Sequence, residues 1–232
     1  MTSVDRLKLR LRFGVWAKLR ANRHPSFYTS HSQFGEDMVA RALLDDVGRG
    51  TFVDIGAHHP VYYSNTYYFY RRGWRGLNVD ATPGARELFD LLRPRDINVE
   101  ACVAREGGRT VELFEFNQPA LNTTDPATAE ARQRPNGVRL LARRAMQTVT
   151  LQSLLETYMR GATIDLLSID VEGSDEQVLE SNDWDRWRPR VLIFERHGLE
   201  LEQIGSDLLL GRMRDRGYSV KAKCGPSLIM SL

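Results

Sequence analysis

Four apolar runs in this chain end on a carboxylic acid, and this pattern constrains the fold more than any other feature. Asp54 follows "TFV", Asp80 follows "GLNV", Asp170 follows "LLSI" and Glu195 follows "VLIF". Short apolar runs are typical of strands buried on both faces, and helix-like segments separate them here. The pattern predicts an α/β fold with a mostly parallel sheet, in which ligands bind beyond the carboxyl ends of the strands.

The remaining segments complete this alternation. "SNTYYFYRR" and "PGARELFDLLRP" are predicted helices, "INVEACVA" is a predicted strand, and "RTVELFEF" alternates like a hairpin arm. "LEQIGSDLLLGRMRDRGY" is predicted as one long amphipathic helix, followed by an antiparallel pair in "SVKAKC" and "SLIMSL". Residues 117–146 are polar and rich in turn residues, so we predict a lid or acceptor loop at about 117–146.

Composition places limits on the class of protein. The chain has 232 residues, of which 42% are hydrophobic and 27% charged, as in ordinary globular domains. A net charge of +2 argues against a dedicated nucleic-acid binder. Cys102 and Cys224 lack the spacing of a zinc site or a disulfide framework. No run reaches the roughly 18 apolar residues of a membrane span, so we expect a cytoplasmic protein without a span.

Residues 1–30 form a basic N-terminal segment, distinct from a predicted single domain at 31–232. The stretch "VDRLKLRLRFGVWAKLRANRHP" carries seven Lys and Arg residues against one Asp. Its apolar positions fit one stripe of a helix, although the same letters also alternate as in a strand. We predict an accessory element packed on the core or on a second subunit, which is compatible with a homodimer. A membrane-surface role is the alternative.

The turn after the first apolar run indicates what the chain binds. "DIGAHHP" contains only Gly56 and lacks the G-x-G-x-x-G pattern that a dinucleotide pyrophosphate requires. Asp80, after the second run, suits a ribose diol, because a carboxylate accepts both hydroxyl protons. Asp54 suits an amine or another cationic group. An amine and a ribose without phosphate describe S-adenosylmethionine.

The chain also resembles a known family. "SQFGED", "VDIGAHHPVYYSNT", "NVDATP", "VTLQSLL", "LLSIDVEGSDEQVL" and "VLIFE" are similar to motifs of the FkbM family of S-adenosylmethionine-dependent methyltransferases. The resemblance implies a class I methyltransferase (Rossmann-like) fold with a seven-stranded sheet, and O-methylation of a hydroxyl, often on a sugar. It also implies a set of cofactor-binding residues: Asp54 and Gly56 at the methionine end, Asp80 with Ala81 at the ribose, Ala101 and Cys102 near the adenine, and Gln33, Ser64 and Asn65 completing the site. Many relatives carry Asn where this chain has His58.

Activation of the acceptor hydroxyl requires a base or a metal ion. Asp170 and Glu195 are predicted metal ligands with oxygen donors suited to Mg²⁺, and Glu172 lies near them. Alternatively, Asp170 contacts cofactor or acceptor directly, as a catalytic residue, and Glu172 caps the next helix. His197 is a candidate general base. His58 and His59 beside the cofactor turn are rivals for that role.

The acceptor itself is less defined by the sequence. We expect a small-molecule or oligosaccharide acceptor, as in polysaccharide biosynthesis, and the aromatic run from Tyr62 to Tyr70 is interpreted as sugar-stacking surface or as core. Arginines within 117–146 are interpreted either as binding an anionic acceptor or as exposed to solvent. Two alternatives to a sugar methyltransferase stay open: a methyltransferase for a lipid-linked or polyketide-type hydroxyl, and a non-catalytic nucleotide-binding module.

Overall fold

A computed structural model describes residues 28–133 and 137–232. The predicted basic segment at 1–30 therefore lies, up to residue 27, outside the described residues. Residues His31–Leu232 form one compact unit. Across the two described ranges, none of the helices is both long and apolar enough to cross a lipid bilayer.

A seven-stranded sheet forms the centre of this unit, in the order β3-β2-β1-β7-β8-β10-β9. Its five strands from β3 to β8 are parallel, and β10 runs antiparallel to both of its neighbours. The predicted class I methyltransferase fold with an antiparallel C-terminal pair is thus confirmed. The strands are β1 Thr51–Ile55, β2 Arg75–Asp80, β3 Ile97–Glu100, β7 Leu166–Ile169, β8 Val191–Glu195, β9 Ser219–Cys224 and β10 Ser227–Ser231.

The register of this sheet explains why the strand-terminal acids meet. Ile55 of β1 pairs with Ile169 of β7, so Gly56 and Asp170 follow side by side. Ile169 in turn pairs with Phe194 of β8, which places Asp170 next to Glu195. The direction of the crossovers changes between β1 and β7, which is where ligands bind in open α/β sheets.

Helices cover both faces of the sheet because successive strand residues point to opposite sides. Phe52 and Leu166 pack in one buried cluster, whereas their neighbours Val53 and Leu167 pack in the other. The helices are α1 Glu36–Leu43, α2 Tyr67–Arg71, α3 Ala85–Leu92, α4 Pro126–Arg132, α5 Leu151–Tyr158, α6 Asp175–Glu180 and α7 Leu208–Asp215. Short 3₁₀ turns lie at Pro119–Leu121 and Leu201–Gln203.

A second, three-stranded sheet corrects two of the sequence predictions. Its order is β4-β6-β5, with β4 Cys102–Val103, β5 Thr110–Phe116 and β6 Leu140–Val149. The predicted single strand "INVEACVA" splits, because its second half leaves β2 and pairs with β6. The end of the predicted loop at 117–146 belongs to β6, which forms a long antiparallel hairpin with β5.

The predicted long C-terminal helix is also wrong. It is interrupted between the 3₁₀ turn Leu201–Gln203 and α7. Asp207 takes an extended backbone conformation, and its side chain accepts a hydrogen bond from the Leu210 amide at 3.0 Å. This cap starts a new helix at Leu208, since aspartate at this position satisfies a free amide of the first turn.

Candidate active site

A cavity of about 290 Å³ opens at the carboxyl edge of the main sheet. It extends from the turn after β1 to the 3₁₀ turn Pro119–Leu121, and Val103 and Leu113 provide apolar wall. The structure brings together at this cavity eight of the residues predicted from the sequence: Gln33, Gly56, His58, Asp80, Ala81, Ala101, Cys102 and Asp170. The remaining predicted residues, Asp54, Ser64, Asn65, Glu195 and His197, do not line it.

The turn after β1 is fixed by Gly56. Its φ of 77° is a left-handed conformation, and a Cβ added there would lie 1.7 Å from the carbonyl oxygen of Asp170. The amides of Gly56 and Ala57 both donate to the carbonyl of Val79, at 2.8 and 3.1 Å. The turn is therefore held between the ends of β2 and β7, with its backbone against the cavity.

Asp80 presents a carboxylate of fixed orientation at the end of β2. Its Oδ2 accepts from the amide of His58 and its Oδ1 from the amide of Thr82, both at 2.7 Å. The first bond fixes His58 at a φ of 50°, which is uncommon for a residue other than glycine. A carboxylate oxygen has two lone pairs, so each oxygen of Asp80 retains one for a ligand.

The apolar side of the cavity lies next to Asp80. The Ala101 amide donates to the Asp80 carbonyl at 3.0 Å, which turns the chain from β3 into β4. Burial raises the pKa of the Cys102 thiol to about 11, so Cys102 serves as a small apolar side chain at neutral pH. Together with Val103 and Leu113, these residues form a surface suited to a flat, apolar ring.

Asp54 and Ser64 belong to a buried polar network beneath the cavity. Asp54 Oδ2 accepts from the Thr66 hydroxyl at 2.6 Å, and that hydroxyl accepts from Arg93 Nη1 at 2.8 Å. Arg93 Nη2 donates to the Ser64 hydroxyl at 2.6 Å. Burial raises the pKa of Asp54, while Thr66 and the Arg93 guanidinium oppose that rise. Asp54 thus lies below the turn after β1 rather than on the cavity surface.

Arg93 is the central residue of this network, and the sequence analysis did not identify it. Its side chain has 0% exposure and also donates to the carbonyl of Pro60 and to Asn78. The letters "LLRPRD" carry no sign of burial, because arginines are mostly exposed. Asn65 is connected to this network through Ser168, because it donates to Ser168 Oγ at 3.1 Å and the Ser168 side chain is hydrogen-bonded to Asp54.

An acidic cluster forms where β7 and β8 end. Burial, with the charges of Glu195, Asp175 and Glu172, raises the pKa of Asp170 well above its usual value. Asp175 accepts from the amide of Glu195 at 3.0 Å, and burial raises its pKa to about 7. Asp170 Oδ1 is buried and makes no hydrogen bond. The predicted pair Asp170 and Glu195 is therefore part of a larger group of carboxylates.

The candidate histidines differ in their surroundings. His58 lines the cavity and stacks on the Tyr63 ring, with centroids 6.5 Å apart. His59 Nδ1 accepts from the amides of Val61 and Tyr62, and burial lowers the pKa of His59. The His197 side chain is 59% exposed, and its Nε2 lies 2.7 Å from Glu195 Oε2.

Residues 118–124 of the predicted lid line the cavity, and two contacts attach the segment to Glu172. The Thr123 hydroxyl donates to the Glu172 carbonyl at 2.8 Å, and Arg132 pairs with the Glu172 carboxylate. Arginines of the β5–β6 hairpin are engaged elsewhere, because Arg143 pairs with Glu112 and Arg144 pairs with Glu115.

Loss of the Arg132 contact is expected to weaken ligand binding in the cavity. A charge-assisted hydrogen bond contributes about 1 kcal/mol or more, so Arg132→Ala should lower the affinity for a cavity ligand roughly fivefold. Calorimetric titration with S-adenosylhomocysteine measures this affinity. Arg143→Ala, which removes an ion pair of the β5–β6 hairpin, is the matched control. Equal losses of affinity in the two variants would contradict the role of Arg132 in attaching the cavity-lining segment to Glu172.

Comparison with known proteins identifies the family. The family model "Methyltransferase FkbM domain" matches residues 54–220. This chain belongs to the FkbM methyltransferase family. A search of curated proteins gives no significant match.

Solved structures similar to this FkbM-family chain include three methyltransferases of low sequence identity. A precorrin-6y C5,15-methyltransferase from Geobacter metallireducens is 13% identical, with 89% of this chain and 94% of that chain covered and a TM-score of 0.44. An O-methyltransferase from Bacillus cereus, in complex with SAH, is 14% identical, with coverages of 97% and 88% and a TM-score of 0.40. A TDP-rhamnose 3'-O-methyltransferase of calicheamicin biosynthesis is 14% identical, with coverages of 97% and 90% and a TM-score of 0.43.

Proposed function

We propose that this protein transfers the methyl group of S-adenosylmethionine to a hydroxyl of a saccharide or glycoside. The observation that carries the proposal is the Asp80 carboxylate, which two backbone amides orient at the end of β2 beside the cavity. The ribose hydroxyls would donate to Asp80, the adenine would lie against Ala101 and Cys102, and the methionine end would approach the Gly56 turn. The volume of about 290 Å³ is close to the lower end of ordinary ligand pockets.

Methyl transfer at this site would be an in-line displacement. The acceptor oxygen attacks the methyl carbon, the carbon–sulfur bond breaks, and sulfur keeps the electron pair to give S-adenosylhomocysteine. The acceptor proton passes to a base, for which Asp170 and His58 are the candidates that line the cavity. A raised pKa makes Asp170 a better proton acceptor near neutral pH than an ordinary aspartate. His197, more exposed and beside Glu195, is the weaker candidate.

The saccharide part of the proposal is supported by aromatic side chains near the cavity. Tyr62 and Tyr63 are 67% and 63% exposed, and Tyr63 lines the cavity. Exposed tyrosines offer an apolar ring face with a polar edge, which suits a sugar ring. The same aromatic run ends in the core, where Tyr68 and Phe69 are buried. The core interpretation therefore holds for Tyr68 and Phe69, and sugar stacking is proposed only for Tyr62 and Tyr63.

Assistance by a divalent cation is a further part of the proposal. The unpartnered Oδ1 of Asp170 and the carboxylate of Glu195 offer the hard oxygen donors that such an ion prefers. When bound, a cation supplies Lewis acidity that lowers the pKa of the acceptor hydroxyl. Mg²⁺ at Asp170 and Glu195 stays a prediction, as do a homodimer, a cytoplasmic location and a role in polysaccharide biosynthesis.

Turnover with a panel of acceptors tests the proposal. The panel comprises nucleotide sugars and simple glycosides, with polyketide-type alcohols and lipid-linked sugars as the competing class. We expect S-adenosylhomocysteine release and a gain of one methyl group only with saccharide hydroxyls. Turnover confined to the other class would support the alternative acceptor. Cofactor binding without any turnover would support a non-catalytic nucleotide-binding module.

The role of Asp80 gives a specific prediction. Asp80→Ala removes the acceptor of two ribose hydroxyls, and hydrogen bonds to a charged group contribute about 1.5–3 kcal/mol each. Calorimetry should therefore show roughly hundredfold weaker binding of S-adenosylhomocysteine or a complete loss. Asp80→Asn, which keeps one acceptor oxygen, should be intermediate. The exposed Asp185 provides the control, and Asp185→Ala should bind as the wild type does. Unchanged affinity in Asp80→Ala would contradict the assigned ribose contact.

A further inference from the structure

Three donor side chains converge on the edge of the cavity, from the last residue of β8 and from the loops after β7 and β8. Donor atoms of Glu172, Glu195 and His197 all lie within 4.8 Å of one another. Carboxylates and imidazole are common metal ligands, and donor atoms at these distances from one another can bind the same cation. Glu172 also lines the cavity, so an ion held by these three residues would lie at its edge.

A second observation points to a ligand here. The Glu195 side chain is only 10% exposed, and its Oε2 contacts His197 Nε2 at 2.7 Å. Asp170 Oδ1, at the end of the adjacent strand, is buried without a hydrogen bond. Buried carboxylate oxygens without partners are costly, and bound cations are one of the few ways in which proteins satisfy them.

The charge around these residues is strongly negative. The carboxylates of Glu36, Asp170 and Asp175 all act on this cluster, and Glu36 and Asp175 are themselves buried. Arg132 contacts Glu172 at Oε2. Arg196, which lies between two of the three donor residues in sequence, is directed to Glu176 and Asp207 instead. Neither of these arginines pairs with the Glu195 carboxylate.

The backbone holds Glu172 in place at a conformational cost. Its φ of 56° lies in the left-handed region, which is strained for a residue other than glycine or asparagine. Such residues persist where the surrounding structure fixes them, and they cluster at functional sites. Here the Thr123 hydroxyl donates to the Glu172 carbonyl, and Gly173 continues at a φ of 105°.

We propose that Glu172, Glu195 and His197 bind a first-row transition-metal dication such as Mn²⁺ in preference to Mg²⁺. The imidazole argues against Mg²⁺, which is bound by oxygen ligands and water, and the two carboxylates favour Mn²⁺ among the first-row transition-metal ions. His197 is then a ligand and not the general base, and this ion takes the place of the Mg²⁺ predicted at Asp170 and Glu195. The ion's use in acceptor activation rests on the proposed function, but its binding does not.

The test is a titration of the full chain, freed of metal with a chelator, using Mn²⁺ alone. Electron paramagnetic resonance of free Mn²⁺ measures the affinity directly, and a rise in melting temperature reports it independently. We expect one Mn²⁺ per chain, and affinity for Mg²⁺ at least tenfold weaker. His197→Ala and Glu195→Gln should each weaken Mn²⁺ binding by roughly tenfold or more. Glu202→Gln, at an exposed acid outside the cluster, is the control and should leave Mn²⁺ binding unchanged.

The outcomes separate this inference from the proposed function. Absence of stoichiometric Mn²⁺ binding to folded wild-type protein would overturn the inference, as would wild-type affinity in a folded His197→Ala variant. Equal affinity for Mg²⁺ and Mn²⁺ would overturn the choice of ion. If the protein binds S-adenosylhomocysteine but not Mn²⁺, this inference fails and the proposed function stands. If it binds Mn²⁺ but not S-adenosylhomocysteine, the proposed function fails and this inference stands. If His197→Ala does not fold, His197→Gln, which retains a polar side chain, replaces it.

Discussion

Gly56→Ala is expected to abolish binding of S-adenosylhomocysteine. The added Cβ would lie 1.7 Å from the Asp170 carbonyl oxygen, and a left-handed φ of 77° would persist in a residue that disfavours it. Because the obstacle is backbone, either the turn or the end of β7 must move. The turn amides would then leave Val79, and the cavity wall would shift beside both Asp80 and Asp170. We expect at least a hundredfold loss of affinity by calorimetry, or about 3 kcal/mol.

Gly211→Ala is the matched control for this experiment. Gly211 lies inside α7, and nothing lies within 4 Å of a Cβ built there. Alanine in the interior of a helix is favoured over glycine by roughly 0.5–1 kcal/mol, so this variant should be at least as stable as the wild type. Thermal unfolding shows whether Gly56→Ala remains folded. A folded Gly56→Ala variant with affinity within twofold of the wild type would contradict the assignment of this turn to the cofactor site.

Arg93→Met is expected to reduce the free energy of unfolding by about 3–5 kcal/mol. The guanidinium donates to Pro60, Ser64, Thr66 and Asn78, and methionine leaves these acceptors without a donor. The Asp54 carboxylate would also lose its nearby positive charge in a buried position. Breaking one side of a buried charged network is far more costly than removing a surface charge. Urea unfolding, followed by circular dichroism, measures the effect.

Two further variants make the Arg93 prediction specific. Arg75→Met changes an exposed arginine at the start of β2 and should alter the free energy of unfolding by less than about 1 kcal/mol. Asp54→Asn added to Arg93→Met should restore part of the lost stability, because it removes one of the two buried carboxylates, Asp54 and Asp96, that lie beside Arg93. A loss below about 1 kcal/mol in Arg93→Met would contradict the central role of this side chain.

Much of the fold could be predicted because local pattern and tertiary structure agree along the main sheet. The runs before Asp54, Asp80, Asp170 and Glu195 are strands, since short and largely apolar runs bounded by turn residues are typical of buried strands. Their acids meet at one edge because parallel strands all end on the same side. Gly56 could also be recognised from the sequence, because it is the single glycine in the turn that follows the first strand.

Features that depend on contacts between residues distant in the chain could not be predicted from the local sequence pattern. Residues Ala142 to Arg144 are exposed to solvent and have the sequence of a loop. They belong to strand β6 because β5 pairs with them. Arg93 is buried because its donors meet acceptors from Pro60 to Asn78 that are scattered along the chain. Asp54 was predicted to bind the cofactor, and its burial with Thr66 and Arg93 could not be predicted from the letters around it.

The most direct test of the central proposal is a calorimetric titration of the wild-type protein with S-adenosylhomocysteine and, separately, with NAD. Both ligands carry an adenosine, but only NAD has a pyrophosphate, for which the "DIGAHHP" turn lacks the required glycines. We predict one S-adenosylhomocysteine per chain with a micromolar Kd, and no measurable heat with NAD. Binding of NAD in preference to S-adenosylhomocysteine, or no binding of either ligand, would contradict the proposal.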